Sequence, residues 1–338
     1  MTPIAPHMEA FLRERLPVER GASVNTCDSY AYAFKLLLEY ASVRLKVKPS
    51  ALQLEQLDAP LILNFLKYLE TARHNGQNSR NTRLAAIKSF MHFMEYRVPS
   101  ALEQIRRVLA IPAKKAESRL VRHLSVEELQ SILNAPSSSQ RDGIRDRAML
   151  HLCFAAALRV SELVGLHLTD VTLQPQASVL VHGKGRRQRC LPLWKETTVA
   201  LRSWLAVRAT ASSPELFLNA RGEAMTRAGF EYILDKHVKT AARTRPSLLK
   251  KRISPHSLRH GCAMHTLIAT HDIRKVSLWL GHATLKSTEI YLRADPTEKL
   301  NALLATTPPT LRRGRFRPPD KLLAMLKPAK HRVRYAQR

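Results

Sequence analysis

Tyr291 stands nine positions after His282 and thirty-two after Arg259, in a chain of formal net charge +28. A phenol is a poor nucleophile at its free pKa of roughly 10, so it needs help from neighbours. Guanidinium and imidazole groups give that help when the target is a phosphodiester. They neutralise the non-bridging oxygens and move protons. The stretch Pro255-His256-Ser257-Leu258-Arg259-His260 puts His256 and Arg259 three apart, on one face of a helix. Leu280-Gly281-His282 and Thr288-Glu289-Ile290-Tyr291 follow. Phenol, imidazoles and guanidinium in so basic a protein point to chemistry on a nucleic-acid phosphate.

The composition bounds that reading. At 338 residues the chain can form two ordinary domains with proper cores. Hydrophobic residues make up 45%, which excludes a disordered arm. Fifty-five Lys and Arg against 27 Asp and Glu favour a polyanion as partner over a merely basic soluble protein. No apolar run reaches the roughly 18 residues of a membrane span. The start, Met1-Thr2-Pro3-Ile4-Ala5-Pro6, lacks the charged and apolar segments of a signal peptide. Cys27, Cys153, Cys190 and Cys262 lack Cys-x-x-Cys spacing and read as reduced thiols, so the expected compartment is cytoplasmic.

The elements that must position these groups are mostly helical. Residues from about 7 to 107 read as helix throughout, with Tyr30, Phe34, Leu37, Leu38 and Ala41 on one stripe. Asp58-Ala59-Pro60 starts a helix, and another runs from about Ser79 to Tyr96. The latter carries Arg80 and Arg83 near its N-terminus, where a DNA phosphate is favoured over an ordinary solvated face. A linker at 108–122 contains Ile111-Pro112-Ala113-Lys114-Lys115. Ser125-Val126-Glu127-Glu128 is a capping box that opens a second domain, 123–305. Val179 and Val181, then Cys190, Leu191 and Leu193, flank Gly183-Lys184-Gly185-Arg186-Arg187 as a hairpin with Lys184 near its tip. Arg159 sits in Ala157-Leu158-Arg159-Val160-Ser161-Glu162-Leu163, at the end of an apolar helix, with Glu162 as its everyday partner. Residues 306–338 hold ten Lys or Arg against Asp320 alone, and Pro318-Pro319-Asp320 starts a short helix with Leu322, Leu323 and Leu326.

Each residue has an ordinary explanation when taken singly: a turn lysine, a core tyrosine, a paired arginine. Competing chemistries fare worse. His256 and His260 have the spacing of a zinc protease, but Ser257 stands where the glutamate base belongs. Gly183-Lys184-Gly185 lacks the glycine and Ser/Thr of an ATP loop. No carboxylate cluster suits two Mg²⁺ ions.

The order of the elements carries more than any one of them. Arg159, then Lys184 in a hairpin, then His256-x-x-Arg259, then Gly281-His282, then Tyr291, resembles the tyrosine recombinase (phage integrase) family. The resemblance covers about residues 10 to 305 and is specific in the catalytic half. It implies a mainly α fold with a small β-sheet, in which a helical core-binding domain (7–107) and a catalytic domain (123–305) form a C-shaped clamp on duplex DNA. It also implies that Tyr291 forms a 3′-phosphotyrosyl bond, that Arg159 and Arg259 hold the phosphate, and that His256 takes the phenol's proton. His282 would hydrogen-bond the phosphate and Lys184 would protonate the departing 5′-oxygen. Neither metal nor cofactor is needed, and no small-molecule substrate. Partners would be double-stranded DNA and further protomers, a tetramer on paired sites, with the 306–338 tail acting between them. One departure is Ala157, where the family usually has glycine; the added methyl is expected to alter helix packing only slightly. The function implied is site-specific recombination, for integration or transposition of a mobile element. Chromosome-dimer resolution, a type IB topoisomerase and a non-catalytic DNA-binding regulator are the alternatives.

Overall fold

The computed structural model describes residues 2–115, 123–183, 187–208 and 213–294. Lys184, part of the expected linker and the 306–338 tail with its Leu322, Leu323 and Leu326 helix lie outside the described residues. The chain divides into two compact units, Met1–Arg119 and Leu120–Arg338.

The first unit is helical: α1 (Ile4–Ala10) running into a wider turn (Phe11–Glu19), α2 (Val24–Leu45), α3 (Ala59–Thr71), α4 (Gln77–Met94) and α5 (Leu102–Leu109). Asp58 caps α3 by accepting from the Leu61 amide at 2.8 Å, with Pro60 in the first turn where no amide is needed. The helical spacing of Phe34 and Leu37 on α2 and of Ile87 and Phe90 on α4 turns both stripes inward. Phe11 lies between them, 5.9 Å from the Phe34 ring and 5.4 Å from that of Phe90. Each such buried ring contributes roughly 1.5–3 kcal/mol.

The second unit opens with α6 (Val126–Asn134), whose capping box forms as expected: Ser125 Oγ accepts from the Glu128 amide at 3.2 Å, and Glu128 accepts from the Ser125 amide at 2.9 Å. Then come α7 (Arg141–Ala155), α8 (Val160–Val164), β1 (Val171–Thr172), β2 (Ser178–His182), β3 (Gln188–Pro192), α9 (Lys195–Val207), α10 (Arg227–Ala241), α11 (Pro255–Thr270), α12 (Ile273–Leu280) and α13 (Glu289–Ala294). The strands form one antiparallel sheet in the order β1-β2-β3, with Val179 opposite Leu191 and Val181 opposite Arg189. Val179, Val181 and Leu191 face the core, as alternation requires. β1 has two residues, too few to leave a period-two signal. The mainly α fold with a small sheet is as the sequence implies.

One expectation is corrected here. Arg159 does not end an apolar helix. Helix α7 stops at Ala155, and Ala157 adopts a left-handed backbone, φ +47°. The Leu158 amide turns back onto the Cys153 carbonyl at 2.9 Å. Arg159 therefore caps the start of α8, its amide donating to Glu162 at 3.0 Å. The methyl of Ala157 thus acts on backbone conformation, not merely on packing. A left-handed L-residue costs roughly 1–2 kcal/mol, partly offset by the lower chain entropy of alanine when unfolded. Ala157→Gly should stabilise the second unit by roughly 0.5–1 kcal/mol, raising its melting temperature by about 2 °C. Thermal melts of the two proteins check this, and a lower melting temperature in the glycine variant would show that the turn is unstrained.

Candidate active site

Glu162, one turn into α8, is buried and touches three arginines. Arg159 Nη1 donates to its Oε1 at 2.6 Å, Arg189 Nη2 donates to its Oε2 at 2.8 Å, and Arg259 Nη1 approaches Oε2 at 3.9 Å. Burial alone would raise the carboxyl's pKa, but the Arg189 hydrogen bond and the Arg159 amide more than reverse it, holding Glu162 below the ordinary value. A charged carboxylate is therefore fixed among guanidiniums.

Arg259 is buried on α11 and is held by backbone. It donates to the carbonyls of Ala157 and Leu280, the latter at 2.6 Å. The Leu280 carbonyl ends α12, where such groups lack an intrahelical partner, and the Ala157 carbonyl lies in the turn that follows α7. Trp279 does the same for Ala155, donating from Nε1 at 2.9 Å. The ends of α7 and α12 are thus stitched to α11 through the arginine the chemistry requires. Burial, then the Arg159 charge, lower the Arg259 pKa to about 10, so it keeps its charge at neutral pH.

His282 follows Gly281, whose φ of +61° closes α12 with a left-handed residue. His282 Nδ1 lies 2.9 Å from Thr288 Oγ1. Burial and then the charges of Arg259, Arg159 and Arg189 push its pKa down to about 4, so the imidazole is neutral at pH 7. Arg159, Arg189 and His282 line one cleft of about 700 Å³.

Tyr291, on α13, is 1% exposed and does not line that cleft. Its hydroxyl is 2.8 Å from His260 Nδ1, where a ring nitrogen free of its proton accepts from the phenol. Burial first, then the charge of His256, lower the His260 pKa. Burial raises the Tyr291 pKa to about 12, so the phenol is fully protonated here. His256, expected as the proton acceptor, is exposed at the start of α11, its ring 6.4 Å from that of His260.

Of the sequence-predicted residues, Arg159 and Arg259 meet at Glu162, His282 lines the same cleft as Arg159, and Tyr291 sits outside that cleft against His260. His260 and Arg189 were missed. His260 had been weighed only as a zinc ligand, although the i, i+4 spacing from His256 that raised zinc also sets it on the helix face toward Tyr291. Arg189 carried no signal beyond an inward position in an alternating strand.

In the first unit Arg80 departs from expectation. It is 4% exposed, and its guanidinium donates to the Pro112 carbonyl at 3.0 Å and to Asn81 at 3.1 Å. It anchors the segment after α5 to α4 and is not free for a phosphate. Arg83 stays half-buried, stacked 4.9 Å from the Tyr32 ring centre, with one long bond to the Ser29 carbonyl at 3.4 Å.

Residues 122–298 match the phage integrase family, and residues 8–97 match its N-terminal SAM-like domain. The chain is 42% identical over 323 residues to integrase/recombinase y4rC of Sinorhizobium fredii, covering 96% of this chain and 97% of that one. It is 34% identical over 294 residues to tyrosine recombinase XerC of Pelotomaculum thermopropionicum, covering 84% and 92%. In fold it is similar to the Tn1549 transposon integrase solved with circular intermediate DNA, TM-score 0.67 at 14% identity, covering 90% of this chain and all of that one. The chain belongs to the phage integrase family, whose members are tyrosine recombinases. Among the described residues, no helix is long and apolar enough to cross a membrane.

The histidine shifts fix a pH dependence of stability. His282 falls from an ordinary 6.5 to about 4 on folding, and the buried His151 does the same. Between pH 6.5 and about 4 the unfolded chain takes up protons that the native chain does not. Stability is therefore full above pH 6.5 and falls as pH falls through that window. The melting temperature should drop between pH 7 and 4.5, and His282→Asn should lose less over the same interval. Parallel curves would remove His282 from the cause.

Proposed function

We propose that this chain breaks and rejoins duplex DNA at specific sites through a covalent bond between Tyr291 and a 3′-phosphate. The observation that carries the reading is that Arg159 and Arg259 share the buried Glu162, that Arg159 and His282 line one cleft, and that Tyr291 is held by His260 of the helix that carries Arg259, in a member of this family. In this reading the Tyr291 oxygen forms a bond to phosphorus as the bond to the 5′-oxygen breaks. Arg159 and Arg259 take up the charge that builds on the non-bridging oxygens. Neutral His282 hydrogen-bonds one of them. Lys184 hands its proton to the departing 5′-oxygen, a role assigned from the resemblance. The phenol's proton goes to His256, and His260 holds the phenol before attack. The phosphotyrosyl bond conserves the energy of the phosphodiester, so rejoining needs no nucleotide.

The 7–107 segment would act as the DNA clamp and 123–305 as the catalytic domain. Exchange between two duplexes breaks four strands in turn, so four protomers on paired sites are the expected assembly. The 42% identity to an integrase/recombinase favours integration or transposition of a mobile element over chromosome-dimer resolution.

A nicked cognate duplex should trap a denaturation-resistant protein–DNA adduct without added metal. Tyr291→Phe should abolish the adduct and leave binding intact; an adduct in that variant would assign the nucleophile elsewhere. Lys184→Ala should slow cleavage by roughly the 10²–10⁴ typical of acid–base catalysis. A 5′-bridging sulfur, which leaves without a proton, should restore most of that rate. Without such rescue, Lys184 is a phosphate anchor or a turn residue.

A further inference from the structure

Arg189 has no part in the chemistry just assigned, yet it lines the cleft and touches three of the segments that build it. It lies on β3, paired with Val181 of β2. Its guanidinium grips both oxygens of Glu162, at 2.8 and 3.3 Å, from a side chain only 10% exposed. A Cβ at Gly281 would stand 3.0 Å from Arg189 Cδ and 3.1 Å from Nη1, so the residue before His282 is packed directly on this arginine. A Cβ at Gly183 would stand 3.6 Å from Nη1 and 3.8 Å from Glu162 Oε1. The hairpin, the Arg159 partner and the turn into His282 therefore share one contact. A planar fork on a carboxylate fixes orientation as well as distance, which a single ammonium cannot do.

We infer that Arg189 is a positioning residue for strand cleavage: bound to Glu162 and packed on Gly281, it locks the β2–β3 hairpin, the Arg159–Glu162 pair and the His282 turn into one cleft wall. It does not itself touch the phosphate. Its effect reaches the reaction through Glu162, which orients Arg159, and through Gly281, which orients His282. Glycine at 281 then answers two demands at once, a left-handed backbone and the room for Arg189.

The inference rests on the reading that Tyr291 forms the adduct, and the test separates the two. Single-turnover adduct formation on a nicked cognate duplex is measured for wild type, Arg189→Ala, Gly281→Ala and the double variant, with Tyr291→Phe as control. Arg189→Ala should lower the rate constant on the order of 10²-fold, the scale of a misplacement of reacting groups by about 1 Å. The adduct yield and single-site DNA affinity should stay near wild type. A variant that merely folds poorly would instead lose yield at unchanged rate. Because both substitutions act on the same contact, the double variant should be little slower than the worse single one, beyond the roughly 1–2 kcal/mol cost of a left-handed alanine. Multiplying losses would overturn the inference. So would Arg189→Lys cleaving at the wild-type rate. If Arg189→Ala fails to fold, Arg189→Met keeps the stem and drops the fork, and the same rate loss is expected. Thermal melts of the four proteins read the coupling without DNA: melting-temperature losses that add fully contradict it. An absent adduct in wild type would sink the Tyr291 reading and with it the role in cleavage, whereas fully additive melts would overturn the shared Arg189–Gly281 contact whatever the adduct shows.

Discussion

The catalytic unit is organised around one buried negative charge. Arg159, Arg189 and Arg259 converge within reach of Glu162, and nothing else among the described residues places a carboxylate between them. Two unit charges 4 Å apart interact by about 4 kcal/mol near a protein surface, so three guanidiniums without Glu162 would drive the walls of the cleft apart. With it, the cluster holds together and still carries an excess of positive charge toward the cleft. A phosphate is the group that completes such a balance. The same carboxylate accepts from the Arg159 amide and so starts α8, which makes local helix capping and active-site assembly one interaction.

Backbone carbonyls supply the second half of the arrangement. Arg259 could have been held by acids, but more negative charge would have cancelled what a phosphate is meant to feel. Carbonyls at the end of α12 and in the turn after α7 orient the guanidinium with dipoles and leave its charge intact. That solution requires the chain to turn after α7 with the Ala157 carbonyl aimed at α11. The left-handed turn at Ala157 does this, at the cost in strain that glycine would avoid. The electrostatic demand of the site thus reaches back into the one backbone conformation that the sequence makes least comfortable.

Legibility from sequence followed the same division. The capping box at Ser125, the alternating Val179 and Val181, and the apolar stripes of α2 and α4 are local patterns whose meaning survives without tertiary context, and they formed as read. The order of Arg159, Arg259, His282 and Tyr291 was equally legible, since chemistry restricts which residue types can serve. What escaped were meanings set by depth. Arg80 looked like a DNA contact because arginine on a helix end usually faces solvent, but the chain beyond α5 folds back and covers it. Arg159 and Glu162 at i, i+3 looked like a plain ion pair, an explanation that competed with function. The pair is real at 2.6 Å, but it is part of a larger cluster, because a second and third arginine arrive from β3 and α11, 27 and 97 residues further along the chain.

The position of Tyr291 carries a last consequence. A phenol whose pKa burial pushes up to about 12, and which lies outside the cleft, is held apart from the groups that would stabilise the transition state in the proposed chemistry. In the proposed reaction, whose intermediate is a broken DNA strand, that separation would keep the phenol from reacting before DNA is bound. Under that proposal the phenol would exchange the His260 contact for the neighbourhood of Arg159 and Arg259, whose positive charges lower its pKa where burial does not dominate. A DNA phosphate would favour the exchange, because it supplies the negative charge that the arginine cluster lacks. Binding and activation would then be two readings of one electrostatic imbalance, set by a single Glu162 among three arginines.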